Sequence, residues 1–170
     1  MQDRQARAET QTGFDQNDAL VAVALFSAGA GAIHAAVTKD HLQEWWLYGT
    51  FFAIAAVLQF VWAVLILRRP SKTILIVAAV ANAVVVVLWL ITRITGLPVG
   101  PTPWAPESFG LLDVVASIFE VALVVSIVMV LRRSVLPSRA SVRLDQPQLA
   151  VFTGAVIAIT YIAISGGGHH

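Results

Sequence analysis

The sequence predicts an all-α, polytopic membrane protein: a bundle of five transmembrane helices with the N-terminus cytoplasmic and the C-terminus outside. Three observations predict it. Of the 170 residues, 58% are hydrophobic and 12% charged, about half the charged fraction of a soluble domain. The apolar residues gather into five runs of roughly 18–23 residues, the length that crosses a ~30 Å hydrocarbon core as a helix. The cations are unevenly placed between those runs, which fixes the orientation.

Residues 1–18 form a polar tail, with Arg4 and Arg7 among Asp3, Glu9, Asp15 and Asp18. The bundle follows over residues 19–165. Its first span is 19–37. ALVAVALF followed by SAGAGA also fits a signal peptide, but the long, partly acidic tail before it favours a spanning helix. Gly29 and Gly31 let a neighbouring helix come close. The segment TKDHLQE links it to the second span, 45–67, which opens on the interfacial belt residues Trp45, Trp46 and Tyr48. Arg68, Arg69, Pro70 and Lys72 end it. The third span is 73–92. The loop RITGLPVGPTPWAPESFG is irregular but restrained by its four prolines, with Trp104 near the interface. The fourth span is 110–131, and a basic link of residues 132–143 follows it. Asp145 and Gln148 resemble a capping box for the fifth span, 148–165. The chain closes with the Gly/His tail 166–170, either native or the remnant of a purification tag. No internal repeat is present.

With five spans, Lys and Arg number nine on the side of the tail, the second link and the fourth link, against Lys39 and Arg93 on the other. That bias predicts a bacterial cytoplasmic membrane protein whose histidines all fall on the outer side.

The fourth span carries the chemistry. Asp113 and Glu120 are seven residues apart, so they share one helix face with about 10 Å between them. Ser117 lies between. Glu120 falls near the bilayer centre, where a carboxylate needs a partner. It is the candidate proton donor or acceptor. His34, His41, Glu44, Asp113 and the terminal His169 and His170 collect at the outer end. Imidazoles and carboxylates without sulfur suit zinc, copper, iron, manganese or nickel. The chain has no cysteine and two methionines, which excludes disulfides, thiolate sites and iron–sulfur clusters. If the first helix continues past residue 37, His34, Thr38 and His41 share a face. No pair has a known metal-motif spacing. Haem is less favoured, because a Gly-rich tail is a poor holder of an axial ligand.

Plainer readings stand beside these. His34 and His41 can bond backbone or Glu44. Asp113 can form a structural ion pair with Arg93. Glu120 can be protonated against Ser117 or Asn82. Gln59 and Asn82 read as helix–helix glue. A serine hydrolase, a nucleotide-driven machine and a nucleic-acid partner are disfavoured, since no G-x-S-x-G, phosphate-binding loop or long basic run is present. Three function classes remain: a membrane protein with an outer-face metal site, catalytic or not; an accessory subunit of a larger complex or homo-oligomer; and a metal or proton transporter.

AGAIHAAVTKDHLQEWWLYGTFF, TRITGLPVGP and GLLDVVASIFEVALV together resemble a group of small multi-pass bacterial membrane proteins with no assigned activity. The matching positions are His34, the turn His41–Glu44–Trp45, the loop from Arg93 to Pro101, and Asp113 with Glu120. The resemblance covers about half the chain. It implies a helical bundle and no chemistry.

Overall fold

The computed structural model describes residues 16–132, 136 and 147–166. Among them are five helices: α1 (Gln16–Glu44), α2 (Trp46–Arg68), α3 (Lys72–Ile94), α4 (Leu111–Leu131) and α5 (Pro147–Gly166). The tail residues 1–15, the link residues Arg133, Arg139 and Arg143, the proposed cap Asp145, and His169 and His170 lie outside the described residues. Four helices, α1 to α4, are long and apolar enough to cross a membrane.

The first helix runs further than the sequence reading. It has 29 residues, about 43 Å, and the expected link TKDHLQE is its last two turns. That segment contains no glycine or proline, and Lys, Leu, Gln and Glu are good helix formers. The Thr38 hydroxyl donates to the His34 carbonyl at 2.7 Å, and His41 Nδ1 lies 3.0 Å from the Val37 carbonyl. One extended residue, Trp45, then reverses the chain into α2. At the opposite end, Ser71 caps α3 by accepting from the Ile74 N–H at 3.2 Å.

α1 is the centre of the bundle. It packs against α2, α4 and α5, while α3 closes on α4 and more lightly on α2. Small residues make this possible. A Cβ on Gly29 would stand 2.6 Å from the Phe119 ring, too close for any carbon pair.

Each of α1 to α4 turns one seam inward at a spacing of seven, close to two helical turns. Leu20, Ser27, His34 and His41 form it on α1. Phe52, Gln59 and Ile66 form it on α2, Leu75, Asn82 and Trp89 on α3, and Asp113, Glu120 and Ile127 on α4. Near the start of α1 the seam is apolar. Leu20, Val23, Ile66, Leu75, Leu123, Ile127 and Val130 are fully buried there as one cluster. Toward the other end the seam is polar. The outward faces reverse the soluble pattern: Val57, Val61 and Val64, then Ile76, Val80, Val84 and Val87, then Ile118, Val121 and Val125 are all exposed. Buried polar groups inside an apolar surface are what a bilayer solvent selects.

Candidate functional site

The turn from α1 to α2 and the connection 95–110 from α3 to α4 lie at the same end of the bundle. There they enclose a cavity of about 220 Å³. Its walls are mostly apolar and aromatic, including Trp45, Tyr48, Phe51, Phe52 and Trp89. His34, His41, Arg93, Glu107, Asp113, Ser117 and Glu120 also line it.

Two charged groupings organise these walls. Deepest is the pair His34 and Glu120. His34 Nε2 lies 3.0 Å from Glu120 Oε1, and the residues are 4% and 1% exposed. The sequence considered Ser117 or Asn82 for Glu120. The partner is instead an imidazole 86 positions away, a pairing that no spacing within one helix reveals. Burial this complete makes the pair obligatory, because an isolated carboxylate in such a place is costly. The unit is neutral as imidazolium with carboxylate or as imidazole with carboxylic acid.

The second grouping is Arg93. Its guanidinium donates to Asp113 Oδ2 at 2.5 Å and also hydrogen-bonds Glu107. A planar guanidinium with several donors can hold two carboxylates at once. Here they come from the start of α4 and from the connection. Further bonds fix that connection. Glu107 N–H donates to the Thr92 carbonyl at 3.0 Å, and Tyr48 O–H donates to the Val99 carbonyl at 3.3 Å. Gly96 takes φ +71°, and a Cβ there would stand 2.6 Å from Ala105 backbone. The connection is therefore a folded cover over the cavity. Trp104 sits on its outside, 65% exposed.

The described members of the expected metal-ligand set are not brought together. Among the described residues no group of three or more His, Asp or Glu side chains is placed to hold a metal ion. Four of the six expected ligands are described, and three of them line the cavity with one ligating atom each engaged. His34 Nε2 meets Glu120, His41 Nδ1 meets the Val37 carbonyl, and Asp113 is held by Arg93. The Phe52 ring packs on both imidazoles, with centroids at 5.6 Å from His34 and 4.1 Å from His41. Glu44 is exposed at the end of α1, outside the cavity lining. His169 and His170 lie outside the described residues.

Beneath the pair runs a short polar layer. The Gln59 side chain is a further polar neighbour of the Glu120 carboxylate. Gln59 Nε2 donates to Asn82 Oδ1 at 2.7 Å, and Asn82 Nδ2 donates to the Ala78 carbonyl at 2.8 Å. The Ser27 hydroxyl lies 2.7 Å from both Gln59 carbonyl oxygens, backbone and side chain. The layer then stops at the apolar cluster of Leu20, Val23, Ile66, Leu75 and Leu123. The site is thus closed from below and reached from one end.

Among the described residues three buried side-chain nitrogens have no hydrogen-bond partner: His34 Nδ1, Trp89 Nε1 and Arg93 Nε. All three belong to residues that line the cavity. An unmet buried donor costs about 1–3 kcal/mol, so few are kept in a folded protein.

The sequence reading missed Trp89, Phe52 and Glu107. The signal for Trp89 was present. Asn82, Trp89 and Arg93 stand at i, i+7 and i+11, one face of α3, so the spacing alone groups the tryptophan with the two polar residues. Nothing local marks Glu107, whose role depends on how the connection folds back. No protein-family model, curated protein or solved structure matches the chain.

Proposed function

We propose that this chain is a multi-pass membrane protein that binds a lipid-soluble small molecule in the cavity between α1 and α4, with His34 and Glu120 as a proton-exchanging pair in its wall. The observation that carries the reading is the placement of a fully buried imidazole–carboxylate pair in the wall of an otherwise apolar cavity. Apolar walls favour a ligand that partitions into lipid. The pair can give a proton to such a ligand or take one from it, its net charge changing by one as it does so. The apolar cluster beneath makes the site a dead end, which favours binding over transport.

The finer topology belongs to the same proposal. Five spans, with the N-terminus in the cytoplasm of a bacterial cell, put the cavity at the outer face. The chain then sits with the small multi-pass bacterial membrane proteins that it resembles. The absence of cysteine gives a clean background for labelling. A Thr102→Cys variant should react with a membrane-impermeant maleimide in intact cells, and a Lys72→Cys variant only after lysis. The reverse pattern overturns the orientation.

Binding is tested by solvent extraction of the purified protein, with mass spectrometry of the extract. Wild type should release one lipid-soluble molecule near stoichiometry. Val85→Phe, which fills the cavity from α3, should release none while still unfolding cooperatively. An infrared band of the Glu120 carboxyl that shifts on ligand loading and vanishes in Glu120→Gln supports proton exchange. A carboxyl band unmoved by ligand removes the proton role.

A further inference from the structure

The way into the cavity lies on the side of the bundle. Its floor is the apolar cluster, and the folded connection 95–110 covers its end. That cover is tied down at three helices. The Tyr48 O–H donates to the Val99 carbonyl, the Glu107 N–H donates to the Thr92 carbonyl, and Arg93 links Glu107 to Asp113.

The seams between helices differ. α1 packs closely on α2 and α4, and α3 packs on α4, whereas α3 touches α2 only lightly. Gln59 and Asn82 join α2 to α3 by a hydrogen bond of 2.7 Å. The cavity residues of both helices lie on the cover side of that bond, from Leu47 to Phe52 on α2 and from Val85 to Arg93 on α3. Each stretch is about 8–12 Å long, and the two part with the cavity between them. Leu47 both lines the cavity and is 40% exposed, so it marks an edge of the opening. Phe51, Val85 and Leu88 are half-buried beside it. Outside this slot Ile54 and Leu58 on α2, and Val84, Val87 and Ile91 on α3, are exposed. The rims are therefore apolar and continuous with faces that suit a bilayer.

An empty cavity of about 220 Å³ forfeits dispersion contacts along its walls. Water fills such a space only where it finds several polar partners, and these rims offer aliphatic and aromatic side chains. A lipid chain is as apolar as the leucine and valine it would touch. It moves from bilayer to cavity at little cost and restores the missing contacts.

We propose, resting on the binding role above, that the cavity opens sideways into the bilayer between α2 and α3 and admits one hydrocarbon chain of a membrane lipid through this slot. The ligand class is then a chain-bearing lipid.

The test uses the native chain, with no substitution in the cavity wall. Perdeuterated protein with protonated, isotope-labelled Ile, Leu and Val methyl groups is exchanged through detergent and reconstituted in nanodiscs of protonated phosphatidylcholine. Nuclear Overhauser cross-peaks from the lipid chain methylenes are read at each methyl. Val84 and Val87, on the exposed face of α3, should show them, and the fully buried Leu20 and Leu123 should not. The deciding positions are Val37, a buried cavity residue on α1, and the slot residues Leu47 and Leu88. All three should show chain cross-peaks. A silent Val37 beside a reporting Val84 overturns chain occupancy. Cross-peaks at Val37 without any at Leu47 and Leu88 overturn the slot. Cross-peaks at Leu123 as strong as those at Val84 overturn it too, since lipid then penetrates the bundle at large. Solvent extraction keeps the two readings apart. With Val37 silent, a stoichiometric molecule in the extract sinks the lipid chain alone, and an empty extract sinks the binding role as well.

Discussion

The His34–Glu120 pair can be weighed by a double-mutant cycle. His34→Phe keeps a ring against Phe52 but leaves a carboxylate, 1% exposed, without its partner. Removing one member of a buried pair costs about 3–5 kcal/mol. Glu120→Leu removes the charge itself and leaves His34 Nε2 unmet, as His34 Nδ1 already is. That costs about 1–3 kcal/mol. Added together, the singles predict about 4–8 kcal/mol, a large part of a domain's whole stability of about 5–15 kcal/mol. The double variant leaves neither a bare charge nor an orphaned Nε2. Apolar replacement of a whole buried pair is often neutral or stabilising, so the double should cost less than either His34→Phe alone or the sum. The assay is reversible unfolding in mixed micelles with increasing dodecyl sulfate, followed by circular dichroism. A coupling energy of about 2 kcal/mol or more is expected. Additivity of the singles within about 0.5 kcal/mol would show that the side chains do not depend on each other, and the reasoning about the site's deepest contact would fail.

Other perturbations separate the remaining devices. Gly29→Ala should destabilise by about 1–3 kcal/mol through overpacking, since its Cβ would meet Phe119 at 2.6 Å; an unchanged unfolding midpoint would show that α1 and α4 can part freely. Arg93→Gln should release Glu107 and Asp113 together and speed amide exchange over residues 95–110, while α2 exchanges as before. Arg93→Lys should repair this only in part, because an ammonium lacks the planar fork that holds both carboxylates. Elemental analysis of protein never exposed to chelator should find metal well below one equivalent. A stoichiometric metal lost in a His34→Ala variant would mean that His34 exchanges Glu120 for a ligand role.

Much of the architecture was legible in the chain. Run length and composition mark the apolar helices, because a bilayer leaves few ways to satisfy a buried backbone. The seven-residue spacing of Asp113 and Glu120 places them on one inward face. The cations at residues 68, 69 and 72 mark where α2 ends and α3 begins. Chemistry-bearing residues near one end of the bundle could be read as neighbours from topology alone.

Which of those neighbours touch was decided by the tertiary structure. His34 and His41 share a face of α1, and the sequence joined both to Asp113 and Glu44 through a metal. Packing drew Glu120 to His34 across 86 positions, Asp113 to Arg93, and Phe52 against both imidazoles. The physical reason is the cost of burial. Each ionised or polar group inside the bundle takes whichever complementary partner the close approach of helices delivers, and that approach is set by small residues such as Gly29 rather than by the polar residues themselves. The sequence determined a membrane-suited bundle and the end where its polar residues gather. Only the packing of α1 against α2 and α4, with the 95–110 connection folded over them, turned those residues into the walls of one cavity.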